Sequence, residues 1–432
     1  RFSYGEIRGL MNMNRAEPYM SRQRVVITGF GAVTPFGCGV PLMWESLLEG
    51  RSAVRHCPAL VGVKGLRTTV AASVPEIDTQ SIDRKKRRYM SKMSIYATIA
   101  ANEAIKMAGL TPEQCSNNRA GVCVGSTTGS TVETENLFHS VLKPGSIEGM
   151  KSTHFFKIMN SSCAANLAQV LGIRGRLMAP SAACATATVA IGMAAETIAY
   201  GKQDMMICGG ADELHVITIG VFDTLDASSR NYNNSPEVTP RPFDSNRDGI
   251  VCGEGAGLVV LESLEHAMAR KANILGEICG FAVNSSPDDI ANPGPESMVQ
   301  CMMTAIQESG FGTEQFGYLN AHATGTIRGD VAECQAVEKV FGRAMPVSSL
   351  KGHMGHTMAA CGGLEVIATL LMMRNGLLLP TRNLTNPDDV CGRLNLLTTI
   401  QKHQVEVAIS NNFALGGVNS AIVMRRSCND RY

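Results

Sequence analysis

Short runs of apolar residues alternate along the chain with longer stretches of helical periodicity. Arg24–Gly29 (RVVITG) reads as a first buried strand, followed by Ala120–Gly125 (AGVCVG) and Asp204–Gly209 (DMMICG). Gly257–Glu262, Ile274–Val283, Gly317–His322, Pro346–Leu350, Val405–Ser410 and Ser420–Met424 carry the same continuous apolar character. Between them, Ser91–Gly109 has helix spacing and stops at a glycine, and a second such stretch covers Glu296–Ser309. Strands of this kind, bounded by glycine and separated by helices, predict an α/β protein with largely buried sheets.

Two further stretches resemble each other. Ser181–Gly201 and His356–Gly376 both open on small residues, and both end at a glycine stop. Ala, Gly and Thr stand where other helices carry bulk, which permits close backbone approach on every side. Both therefore predict central, buried helices, each followed by a strand. An internal duplication accounts for the pair, with the two helices side by side at the middle of a layered α/β/α/β/α fold. Residues 1–20 read as a flexible N-terminal extension, with 21–275 and 276–432 as the two halves. Met11, Met13 and Met20 are candidate starts, and the polar, Arg-bearing beginning lacks the apolar core of a secretory signal.

Composition narrows the function classes. The 432 residues carry 39 Lys and Arg against 38 Asp and Glu, a formal charge of +1, so no global basic field for nucleic acid exists. No apolar run reaches the roughly 18 residues a membrane helix needs; Ala359–Met373 is interrupted by glycines and Glu365. The 14 cysteines are scattered without a C-x-x-C pair, which removes the spacing of a zinc or thioredoxin site and fits buried thiols in a reducing cytoplasm.

Candidate chemistry gathers at a few places. Cys184 falls at the first turn of the first central helix, where unpaired N–H groups and the helix dipole favour a thiolate. His322 ends a strand, where ligand sites collect in α/β sheets. His356 opens the second central helix, so a duplicated fold brings it near Cys184. His353 and His356 are three apart, but no third ligand presents itself, and no metal is expected. Asn411–Asn419 is a Gly-rich turn whose backbone N–H groups can hold an oxyanion. Asp244–Gly257 resembles a calcium loop only superficially, with Gly255 where the twelfth-position Glu belongs. Arg84–Arg88 is a basic run that, taken alone, reads as a solvated face.

Nine segments, in order, resemble the β-ketoacyl-acyl-carrier-protein synthases of the type I/II class: VVITGFGAVTPFG, IDRKKRRYMSKMSIYA, SAACATA, GKQDMMICGGADE, RPFDSNRDGIVCGEGAG, YLNAHATGT, GDVAE, SSLKGHMGH and SNNFALGGVNS. The second and fourth lean toward the type I branch. The resemblance spans about Arg24 to Arg426 and implies the thiolase fold, a duplicated five-layered α/β architecture. It implies Cys184 as the acyl-accepting nucleophile, His322 and His356 as the active-site histidines, Lys351 as the lysine upstream of the second, and Glu333 as the acid paired with it. It further implies Thr324 and Thr326 on the pantetheine arm and oxyanion N–H groups at Cys184 and Leu415. Arg84, Lys85, Arg88 and Lys151 would meet an acidic acyl carrier protein. No cofactor is implied, and the expected assembly is a homodimer, or a heterodimer with a ketosynthase-like chain.

Three departures accompany it. His322-Ala-Thr-Gly-Thr stands for His-Gly-Thr-Ser-Thr. Lys351-Gly-His-Met-Gly-His adds His353. In Phe413-Ala-Leu-Gly-Gly, Leu415 replaces the second Phe, the acyl-pocket gate of relatives. Fatty-acid elongation is the implied activity, and these changes keep a specialised polyene or polyketide-like pathway as the alternative. A degradative thiolase would need a second Cys within Asn411–Asn419, where none stands. A non-catalytic partner subunit would lack Cys184.

Overall fold

The computed structural model describes residues 22–287 and 294–427. The expected extension at 1–20 lies outside them. Among the described residues, the two-residue strand Gly37–Cys38 pairs off the path of the main sheet, which has eleven strands: β1 (Val25–Thr34), β2 (Ala120–Gly125), β3 (Leu177–Met178), β4 (Met205–Asp212), β5 (Gly255–Ser263), β6 (Gly276–Ser285), β7 (Phe316–Asn320), β8 (Pro346–Ser348), β9 (Asn395–Leu396), β10 (Val407–Ala414) and β11 (Val418–Arg426). The first five run in the order β1-β5-β4-β2-β3, and the last six in the order β6-β11-β10-β7-β8-β9. Counted outward from the junction, each half begins antiparallel, antiparallel, parallel and parallel, and the second adds one more parallel pair, with β9 at its edge. The same pattern on both sides is the topological signature of a duplication. The halves touch where Val25–Ile27 pairs with Gly276–Ile278.

Helix α1 (Lys92–Ala108) covers the outer face of the first half and ends on Gly109 in a left-handed conformation. Helices α3 (Pro295–Ser309) and α4 (Ile327–Phe341) cover the second half. Between the sheets lie α2 (Thr186–Ala199) and α5 (Cys361–Asn375), so the layers run α/β/α/β/α, as in the thiolase fold. Glycine makes the central contact possible. A Cβ at Gly362 would come within 2.1 Å of Thr188 Oγ1 on α2, and one at Gly363 within 2.2 Å of the Gly257 carbonyl on β5. Among the described residues, no helix is long and apolar enough to cross a membrane.

The central helices are shorter than the sequence pattern suggests. Each is preceded by a 3-10 turn, Ala183–Ala185 before α2 and Met358–Ala360 before α5. Each turn opens on a non-glycine residue with positive φ: Ala183 at 46° and Met358 at 51°. Such backbone is strained and persists only where surrounding packing dictates it. Cys184 and Ala359 are therefore counterparts in the two halves.

Candidate active site

Cys184, His322 and His356 converge at the floor of a cavity of about 680 Å³. One ligand atom from each lies within 4.8 Å of the others. Three elements deliver them. Cys184 sits in the turn before α2, His322 lies two residues past the end of β7, and His356 bridges to Cys252 just ahead of the turn before α5. The two imidazoles meet edge to face, with centroids 5.2 Å apart and planes at 84°. Phe413, Ala414 and Leu415 form one wall, and Thr324 and Thr326 line the approach, their hydroxyls 3.2 Å apart.

Backbone contacts hold each group. Glu333, buried on α4, accepts the N–H of His322 at 2.9 Å and of Ala323 at 2.7 Å, which fixes the chain just beyond β7. His356 Nδ1 accepts the Met358 N–H at 3.1 Å. That leaves His356 Nε2, buried and without a hydrogen-bond partner among the described residues, as the proton-bearing nitrogen. Asp212, at the end of β4, accepts the N–H of Ala359, the counterpart of Cys184, at 2.9 Å.

Electrostatics correct one expectation. Cys184 is not in the first turn of α2, and its thiolate is not favoured overall. Burial pushes its pKa up to about 11, against the pull of the Lys351 charge and the Leu415 N–H. Burial also drives His322 and His356 well below the usual imidazole value, with the Lys351 charge adding to the effect. Both rings are therefore neutral near pH 7. Glu333 rises to about 7 by burial, opposed by the two N–H groups it accepts.

The acid paired with Lys351 is a second correction. Lys351 Nζ lies 2.5 Å from Glu365 on α5, whereas Glu333 spends its oxygens on the backbone. Burial works against the ammonium most strongly, but the charge and hydrogen bond of Glu365, together with Cys361 and Glu333, outweigh it, so Lys351 sits above the usual lysine value. Glu365 was visible in the sequence only as an interruption of an apolar helix, and a lone acid among Ala, Gly and Leu was the signal for a buried partner. His353 also falls outside the site: its Nε2 reaches the Pro380 carbonyl at 3.3 Å.

Cys184, His322 and His356 have the donor types of a thiophilic metal site, but the hydrogen-bond polarity is wrong for one. A metal-bound histidine donates its second N–H to an acceptor. His356 Nδ1 instead faces the Met358 N–H, which places the proton on the nitrogen that a metal would need.

The basic run forms a short helix, Arg84–Arg87, capped by Asp83. Lys86 and Arg87 are tied to the carbonyls of Gln169, Val170 and Thr79. Arg84, Lys85 and Arg88 are exposed, as is Lys151, with Arg88 stacked on Tyr89.

The family profile for the β-ketoacyl synthase N-terminal domain matches residues 22–267, and that for the C-terminal domain matches 275–385. The chain belongs to the β-ketoacyl synthase family. It is 37% identical to 3-oxoacyl-[acyl-carrier-protein] synthase 1 of Haemophilus influenzae over 94% of this chain and 99% of that one. A crystal structure of a β-ketoacyl synthase from Burkholderia phymatum superposes with a TM-score of 0.91 at 41% identity, covering 94% of this chain and all of the other. A type II polyketide synthase ketosynthase, solved in complex with its acyl-carrier protein and bound to a hexaketide, gives a TM-score of 0.86 at 28% identity over 94% of this chain and 100% of that chain. Membership of this family makes the protein a condensing acyltransferase with the thiolase fold.

Proposed function

We propose that the protein is a 3-oxoacyl-acyl-carrier-protein synthase of fatty-acid elongation, with Cys184 as its acyl-bearing nucleophile and His322 and His356 as its decarboxylation pair. The observation that carries this reading is the convergence of one thiol and two neutral imidazoles at the floor of a single cavity. Cys184 sulfur attacks the thioester of an acyl-carrier protein, and the carrier thiol leaves. The backbone N–H groups of Cys184 and Leu415 face the developing oxyanion. Malonyl-carrier protein then enters along Thr324 and Thr326. Its carboxylate leaves as CO₂, and the electron pair passes into an enolate whose oxygen the imidazole N–H groups hold. The enolate carbon attacks the acyl-Cys184 carbonyl, and the Cys184 thiolate leaves. Neutral rings suit this role, because each can donate a hydrogen bond without carrying charge into a buried site. Lys351, paired with Glu365, supplies the fixed positive charge nearby, and Glu333 holds the chain that bears His322.

Residues 21–275 and 276–432 serve as two halves of one catalytic unit, a division supported by the repeated strand order. Arg84, Lys85, Arg88 and Lys151 are proposed to meet the acidic carrier protein, a role supported by their exposure. The working unit is proposed to be a cytoplasmic homodimer. The exposed apolar side chains Phe138, Leu142, Ile147 and Phe155 support a partner surface.

A second reading has one observation in its favour. Leu415 stands at the cavity wall where relatives carry the gating Phe, and a smaller gate admits other chains. That supports a specialised polyene or polyketide-like pathway, with a second ketosynthase-like chain as partner. Incubation with acyl-carrier proteins of graded chain length and malonyl-carrier protein, read by product mass, separates the two. Elongation of ordinary saturated chains supports the first reading. Acylation of Cys184 without such a product supports the second, and absence of both refutes the assignment.

A further inference from the structure

Asn412 sits on β10 directly behind His322, fully buried. Its side chain is the hub of four groups. Oδ1 accepts the Thr188 hydroxyl from α2. Nδ2 donates to Glu365 Oε2 at 2.7 Å and lies 3.4 Å from His322 Nδ1 and 3.5 Å from Cys361 Sγ. The amide orientation is fixed from both ends. Reversing it would aim an oxygen at the Glu365 carboxylate and would leave the Thr188 hydroxyl facing an NH₂ group. One Nδ2 hydrogen belongs to Glu365, and the other is shared between His322 Nδ1 and Cys361 Sγ.

We propose that Asn412 is a positioning residue that holds His322 as the Nε2–H tautomer. A neutral imidazole carries one proton on either nitrogen, and the partner of one nitrogen decides the state of the other. A donor at Nδ1 requires a lone pair there, so the proton resides on Nε2. The Met358 N–H does the same for His356. One side-chain amide and one backbone amide thus turn both rings the same way. The result is a pair of N–H groups presented together to the enolate oxygen, rather than one donor and one lone pair. The Lys351–Glu365 pair enters through the same amide, because the Glu365 carboxylate keeps Nδ2 in place.

This inference rests on the ketosynthase reading for its chemistry, but its geometry can be tested separately. The variants are Asn412→Ala, which removes the donor, and Asn412→Ser, which retains a smaller one. Acylation of Cys184 by an acyl-carrier protein and decarboxylation of malonyl-carrier protein are measured as separate half-reactions. The His322 tautomer is read by long-range ¹H–¹⁵N correlation on histidine-labelled protein, assigned with His322→Ala. In Asn412→Ala, decarboxylation should fall at least about tenfold while acylation changes by less than about threefold, and the His322 signal should shift toward a tautomer mixture. Asn412→Ser should recover part of both. An unchanged tautomer in Asn412→Ala, or losses shared equally by the two half-reactions, overturns the proposal. A wild-type protein that decarboxylates no malonyl-carrier protein would instead sink the ketosynthase reading, while the tautomer measurement would still decide the role of Asn412.

Discussion

Lys351 and Glu365 form an ion pair at 2.5 Å with only 2% and 1% of their side chains exposed. They come from the turn at 351–354 and from the middle of α5, fourteen positions apart, and the pair lies behind His322. Removing one member of such a pair strands a charge in the interior, at a cost of about 3–5 kcal/mol. Lys351→Met and Glu365→Gln should each lose that much in urea denaturation, and the double variant should lose less than the sum. Strict additivity would show that the two do not act as a pair. Lys351→Met should also raise the His322 pKa, because the neighbouring positive charge is gone, and so move the acidic limb of the decarboxylation profile to higher pH.

Cys184 should alkylate slowly near neutral pH. With its pKa pushed up to about 11, the rate with iodoacetamide should climb roughly tenfold per pH unit from 7 to 10. Stopped-flow labelling read by mass would show it. A plateau already reached at pH 7 would mean that a thiolate exists in the resting protein. Cys184→Ala should abolish acyl transfer altogether.

Asp212 gives the fold a pH dependence of unusual sign. Burial raises its folded-state pKa from 3.8 to about 7. The folded protein therefore holds this proton more tightly than the unfolded chain does. The stabilisation is complete below pH 3.8 and is lost as pH rises through 7, by roughly 4 kcal/mol at most. Asp212→Asn removes this contribution. The stability difference between wild type and variant, followed by denaturant unfolding from pH 4 to 8, should shift against the wild type across that window. A difference that does not vary with pH would refute the sign.

Charge reversal at Arg84, Lys85 and Arg88 should raise the KM for carrier-bound substrates at least about tenfold and leave a small thioester mimic nearly unchanged. Added salt should weaken wild-type binding in the same direction. Equal effects on both substrates would return these residues to a solvated face.

Much of this was legible in the chain. The strand Ala120–Gly125 has the same bounds in the sequence pattern and in the structure, and α1 stops at Gly109 as its glycine requires. Cys184, His322 and His356 stood out because each sits beside a glycine or a small residue at the edge of an apolar run. What escaped notice depends on packing across the layers. Whether Lys351 meets Glu333 or Glu365 is decided by the placement of α5 against the turn at 351–354, and no local pattern encodes it. Asn412 lies inside the Gly-rich stretch Asn411–Asn419, but its role depends on contacts with Thr188, Glu365 and His322, distant in sequence. The expected thiolate at Cys184 failed for the same reason: proximity to a helix start is local, whereas desolvation is not.

The paired left-handed residues Ala183 and Met358 separate geometry from reactivity. Both turns carry the strain, yet only one holds a thiol, so the contortion belongs to the repeated half-unit rather than to the chemistry placed upon it. After duplication the copies diverged in labour. One holds an attacking atom, while in the other the Ala359 N–H is taken by Asp212 and a histidine stands three residues upstream. A cysteine grafted at Ala359 would thus inherit the right contour and the wrong surroundings, facing a carboxylate where an oxyanion would need a donor. The protein has two moulds and one reaction centre, and its symmetry cannot be turned into a second.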